Sequence, residues 1–177
     1  MRRFLLPAVF LLSLAAWVYP VSSWVESSEL ACEVMSVEGA VNLIQEDGSS
    51  ISLKEGELVK EQGVIETHAG TADISFDKDW NNIVRVESES KVKITSSWPS
   101  KVEIHRGGVF AKLGKLPKES TFEVQTPTAI ASVRGTEYRA VFKDGETQIY
   151  NFSSSQVFVT SVDGLGNKAG ESTVLPK

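Results

Sequence analysis

Phe122-Glu-Val-Gln-Thr-Pro-Thr-Ala-Ile-Ala-Ser-Val-Arg-Gly-Thr-Glu-Tyr-Arg-Ala-Val-Phe142 is the stretch that decides how this chain folds. After Thr136 the polarity alternates. Tyr138, Ala140 and Phe142 fall on one side of an extended backbone, and Arg139, Val141 and Lys143 on the other. A period of two is the mark of a half-buried strand. Two strand-like runs lie around a tight Thr126-Pro127 entry and an Arg134-Gly135-Thr136 pivot, where Gly135 supplies a backbone freedom that residues with a Cβ lack.

Short alternating runs of the same kind fill the chain outward from this stretch. Strands are predicted over 34–37, 40–45, 50–53, 58–67, 71–76, 83–87, 91–95, 102–105, 108–113, 121–124, 137–142, 147–151, 156–162 and 171–174. Val, Ile, Thr and aromatic residues dominate them, as strand preference requires. Polar clusters with glycine separate them, such as Glu46-Asp47-Gly48, His68-Ala69-Gly70 and Asp144-Gly145, which supply the positive φ of turns. No window shows the i, i+3, i+4, i+7 spacing of an amphipathic helix. The chain reads as all-β. Turn signals every 8–12 residues suit a sandwich, a barrel or a solenoid alike.

At the N-terminus Arg2 and Arg3 precede an apolar run from Phe4 to Tyr19, followed by Pro20 and Val21-Ser22-Ser23. A basic start, an apolar core and small residues at a cleavage point make residues 1–23 a secretory signal peptide. The apolar run is shorter than the ~20 residues a spanning helix needs. Cleavage after Ser23 leaves 154 of the 177 residues: an N-terminal segment over 24–33 and a β domain over 34–177. Losing Arg2 and Arg3 takes the formal net charge from −5 to −7. That sign and the scatter of the remaining Lys and Arg argue against binding nucleic acid.

Cys32 is the one cysteine, so no intrachain disulfide forms and packing alone must hold the domain. Leu30-Ala31-Cys32 is similar to the tail of a bacterial lipobox, but Glu29 stands where an apolar residue is expected. The leading reading is an inert thiol in the first strand. Lipidation and an intermolecular disulfide are the rivals. An uncleaved or lipidated N-terminus would be the only link to a membrane.

Catalytic constellations are absent from the sequence, and no enzyme, cofactor or metal is expected. His68 and His105 lack metal-ligand spacing to each other or to Cys32. Asp77-Lys-Asp79-Trp-Asn81-Asn82 lacks the central Gly and distal Glu of a calcium loop, so it reads as a hairpin turn, with Trp80 covering a sheet edge. Asn151-Phe-Ser153 is formally a glycosylation sequon.

Thr126-Pro127, small residues, Val133-Arg134-Gly135-Thr136 and the aromatic Tyr138 together resemble the signature of the FecR-type domain, a β-rich module of bacterial cell envelopes. Weaker matches continue through Gly39-Ala-Val41, Gly63-Val-Ile65, Ile83-Val-Arg-Val86 and Gly107-Gly-Val109. The turn Asn151-Phe-Ser-Ser-Ser155 departs from the family pattern. The resemblance implies an irregular β-solenoid-like or rolled antiparallel sheet, with a β-sandwich as the alternative. It implies a non-catalytic exported module, periplasmic or secreted. Only Met1, Arg2 and Arg3 precede the apolar run, so the expectation is a stand-alone domain rather than a complete signalling relay.

The function expected from this resemblance is protein–protein interaction in envelope signalling or assembly, with an envelope protein as partner. The alternative is a structural component binding peptidoglycan or another polysaccharide of the cell wall. Thr126, Pro127, Val133, Arg134, Gly135 and Thr136 are read as structural, with Thr136 bonding nearby backbone. Arg134 is expected to tie strands together through carbonyls or through Glu123 or Glu137, against a second reading as a recognition arginine. Trp80 and Trp98, in polar loops, are candidate surface anchors for protein or sugar.

Overall fold

A computed structural model describes residues 31–97, 99–117, 120–163 and 165–176. The predicted signal peptide and Trp98 lie outside them. The described chain is all-β: β1 (Ala31–Glu38), β2 (Val41–Ile44), β3 (Ser50–Ser52), β4 (Leu58–Lys60), β5 (Val64–Thr67), β6 (Thr71–Ser75), β7 (Asn82–Val86), β8 (Lys91–Ser97), β9 (Ser100–Leu113), β10 (Phe122–Gln125), β11 (Ala129–Val133), β12 (Glu137–Lys143), β13 (Glu146–Asn151), β14 (Val157–Val162) and β15 (Lys168–Val174).

One long strand organises the rest. The first half of β9 pairs with β8 and β10, and its second half with β7 and β12. Two sheets therefore share β9. Sheet A runs β4-β1-β6-β7-β9-β12-β13, and sheet B runs β3-β2-β5-β8-β9-β10-β11-β14-β15. Every pairing is antiparallel except β9 with β10. A solenoid would stack parallel rungs, so these hairpins describe a rolled or sandwiched sheet. The sheet does not close, and β4, β13, β3 and β15 remain as edges.

The roll encloses one core. Inward residues of both sheets, among them Ile65, Ile74, Val86, Ile94, Ile104, Val109, Val124 and Tyr138, form a single buried cluster. Phe76 beyond β6 meets Phe122 of β10 edge-on, with ring centres 5.1 Å apart, which places sheet A face to face with sheet B. Burying such side chains contributes ~1.5–3 kcal/mol each.

The bend of β9 lies at Gly107, where φ is +79°. Ser90 is buried against it. The Gly108 N–H donates to Ser90 Oγ at 2.9 Å, while the Ser90 N–H donates to Thr67 Oγ1 at 2.9 Å and the Thr67 N–H to the Ser90 carbonyl at 2.9 Å. Buried polar atoms are satisfied at this bend by one another.

The sequence differs from this picture in three places. The predicted strand 58–67 is two strands, because Gln62 (φ +69°) turns the chain between β4 and β5. The runs 102–105 and 108–113 are one strand bent at glycine rather than broken there. Ala129–Val133, rich in small residues of weak strand preference, is a strand absent from the predicted set.

The Asp77–Asn82 segment is a hairpin turn, as predicted. The Asn81 N–H donates to Asp77 Oδ1 at 2.8 Å, and the Asn82 amide donates to Asp77 Oδ2. Trp80 does not cover an edge, however, because β7 lies inside sheet A between β6 and β9.

Candidate functional site

The signature stretch carries the chain from sheet B to sheet A, and most of its residues hold that crossing. Thr126 is buried, and its Oγ1 accepts the Ala129 N–H at 3.0 Å. The Thr126 and Thr128 hydroxyls each lie 2.6 Å from Thr147 Oγ1 on β13. A hydroxyl carries one proton, so the consistent direction runs Thr128 to Thr147 to Thr126, ending at the Ala129 carbonyl at 3.1 Å. This relay stitches the β10–β11 turn of sheet B to the edge of sheet A. Pro127 is exposed at the turn.

The pivot at the other end of β11 packs against the segment after β9. Gly135 has φ +130°, and a Cβ there would lie 2.7 Å from the Gly114 carbonyl oxygen. The Leu116 N–H donates to the Arg134 carbonyl and the Leu113 N–H to the Thr136 carbonyl, both at 3.1 Å. Val133 is buried in the core. Main chain holds this pivot, with no side-chain bond from Arg134 among the described residues. The hydroxyls of Thr136 and Tyr138 are buried and find no hydrogen-bond partner among the described residues. Thr136 therefore acts through its carbonyl and its packing, contrary to the expected hydroxyl bond. Burial, and secondarily the Glu123 carboxylate, pushes the Tyr138 phenol well above its ordinary range.

Arg134 departs from its expected role. Of the four described arginines, Arg85, Arg106 and Arg139 each meet a carboxylate, and Arg134 does not. Glu123 pairs instead with Lys101 at 3.9 Å, and Glu137 with Lys112 at 3.5 Å. Because the main chain does the work of the pivot, the guanidinium is left exposed on the outer face of sheet B. There it lines a shallow groove of ≈ 520 Å³ with Thr121, Ser132, Val133 and Phe158. Phe158 stands beside Ser132 across the β11–β14 pair and is 54% exposed. β15, next to β14, is an open edge. A planar fork of donors with no partner among the described residues, beside an exposed ring and a free strand edge, can receive a carboxylate and an apolar group. Phe158 did not stand out in the sequence, where it reads as one more residue of an alternating strand.

The remaining candidates are placed plainly. Trp80 is 56% exposed at the β6–β7 turn. His68 and His105 are exposed, and His105 Nε2 lies 3.5 Å from Glu103. Among the described residues no group of three His, Cys, Asp or Glu could hold a metal ion. Cys32 is buried in β1 opposite Val59, and burial, with the Glu61 carboxylate, pushes its thiol up to about 12. A lipid on this sulfur would require β1 to leave the core. Asn151 is buried, its amide donating to the Ser155 carbonyl at 2.7 Å and the Val174 carbonyl at 3.1 Å. A glycan there would displace both bonds.

No curated protein matches this chain. A crystal structure described as that of an anti-sigma factor candidate from Parabacteroides distasonis aligns at 15% identity and a TM-score of 0.49. The alignment covers 63% of this chain and 50% of that one, so the chain spans half the length of this neighbour. The FecR protein family matches residues 63–157, from the turn before β5 to the first residue of β14, and takes in the relay, the pivot and Arg134. With more than half its length inside that match, the chain belongs to the FecR family.

Proposed function

We propose that this chain is a non-catalytic interaction module of the bacterial envelope, exported by its N-terminal leader, that docks a protein partner on the outer face of sheet B. The observation that carries the reading is Arg134: a guanidinium inside the family's most specific motif, with no partner among the described residues, beside the exposed Phe158. The partner is a protein segment presenting a carboxylate next to an apolar side chain, with β15 free to accept a strand alongside. The leader read over residues 1–23, the net charge and the family support a periplasmic or secreted location. Signalling or envelope assembly is the setting such a module fits.

A photo-crosslinking residue at position 158, in the native host, tests the reading against the same residue at position 51. Ile51 lies on β3, the opposite edge of sheet B. Capture of one dominant protein from 158 only, lost on Arg134→Glu, is the expected result. Equal capture from both positions, or capture indifferent to Arg134→Glu, would overturn it.

A further inference from the structure

Sheet A carries a second surface, independent of Arg134. On its outer face Phe110, Arg139 and Tyr150 stand in one row across β9, β12 and β13. The Phe110 ring lies 5.7 Å from that of Phe152, and Arg139 sits over Tyr150 at 5.8 Å. Phe152 is 58% exposed and Tyr150 39%. One row along, Lys112 and Glu137 lead to Trp80, which shares a hollow with both. The rings thus extend from the β6–β7 turn to β13, roughly 14 Å at ~4.8 Å per strand spacing.

The charges on β9 and β12 between the rings are paired among the described residues. Arg139 donates to both Glu87 oxygens at 2.6 and 2.7 Å, and Lys112 lies 3.5 Å from Glu137. Paired charges offer a charged polymer little to neutralise on these two strands, and they form no basic stripe for nucleic acid. A protein-binding core would be continuous and depleted of charge, whereas here Trp80 borders the Lys112–Glu137 ion pair and Tyr150 the Arg139–Glu87 pair. Alternating apolar faces and polar groups with no net charge match the surface of a sugar chain, whose rings present C–H faces and hydroxyl edges.

We propose that the outer face of sheet A binds an uncharged polysaccharide strand, stacked on Trp80, Phe152 and Tyr150 and hydrogen-bonded by the Lys112–Glu137 pair. The site lies apart from the Arg134 groove, so either can fail without the other.

The test titrates the purified chain with chitohexaose, an uncharged oligosaccharide, by isothermal calorimetry at low and high salt. Binding should occur and change little with salt, since the paired charges make no new ion pairs. Tyr150→Ser with Phe152→Ser should weaken it about five- to 150-fold, the loss of two ring contacts at ~0.5–1.5 kcal/mol each. Trp80→Ala, made alone, should also weaken it, and Phe158→Ser on sheet B should leave it unchanged. No heat of binding, or equal binding by the Tyr150, Phe152 and Trp80 variants, would overturn the proposal. So would a change confined to sedimentation, with the ring variants turning a dimer into a monomer, because the face would then belong to a second copy.

Discussion

Gly107 and Ser90 are in contact with no space for a Cβ between them: one added at Gly107 would fall 2.6 Å from Ser90 Cα and closer still to its Oγ. The contact lies where β9 passes from sheet B to sheet A, so the whole roll depends on it. Gly107→Ala combines a left-handed backbone with a collision against main chain, and should cost about 2–4 kcal/mol. Gly48 has a similar φ of +82° but nothing near it, so Gly48→Ala should cost only about 1 kcal/mol of backbone strain. Urea denaturation of the two variants checks the contrast, and equal losses would refute the role of the bend.

Thr147 is the middle of the three-hydroxyl relay. Thr147→Val keeps the shape and removes the bonds, leaving the Thr126 and Thr128 hydroxyls short of a partner. The expected destabilisation is about 1–2 kcal/mol. Thermal melting measures it, and an unchanged Tm would mean the relay does not hold the sheets together.

Tyr138 lies wholly in the core with its hydroxyl unbonded among the described residues. Tyr138→Phe removes that polar atom without opening a cavity, so melting should rise or stay level. A clear fall in Tm would mean the hydroxyl has a partner in the folded chain.

Cys32 gives the fold a pH dependence of predictable sign. Its thiol has an ordinary value of 9.0 and titrates near 12 when folded. Between those values the unfolded chain gives up a proton that the folded chain keeps. This contribution is therefore intact below pH 9 and lost progressively as pH rises toward 12. Cys32→Ser should flatten that fall, and the native thiol should resist a disulfide reagent until the chain unfolds. Rapid labelling of the native chain would show that Cys32 is not enclosed.

The strand content was legible because Tyr138, Ala140 and their kind alternate with polar residues at the strand period, and because Asp77 and Gly135 announce turns in their own chemistry. What remained hidden depends on distant residues. Gly107-Gly108 reads as a turn, and only the approach of Ser90 from the β7–β8 connection makes it a bend within one strand. Arg134 reads as a strand-tying residue because guanidinium forks usually find carboxylates. Lys112 and Lys101 take Glu137 and Glu123 first, and pairings of that kind are set by register across strands, which no local window contains. Phe158 and Phe152 look like ordinary strand and turn residues until the sheet shows which face is uncovered.

Arg134→Ala separates a fold residue from a recognition residue most directly. Its thermal melting and its capture of the partner through the crosslinker at position 158 should be measured together. The account predicts a Tm within about 1 °C of the parent chain, as for an exposed side chain with no bonds to lose among the described residues, together with loss of capture. A Tm lowered by several degrees with capture retained would contradict it and return Arg134 to the role of holding the strands together.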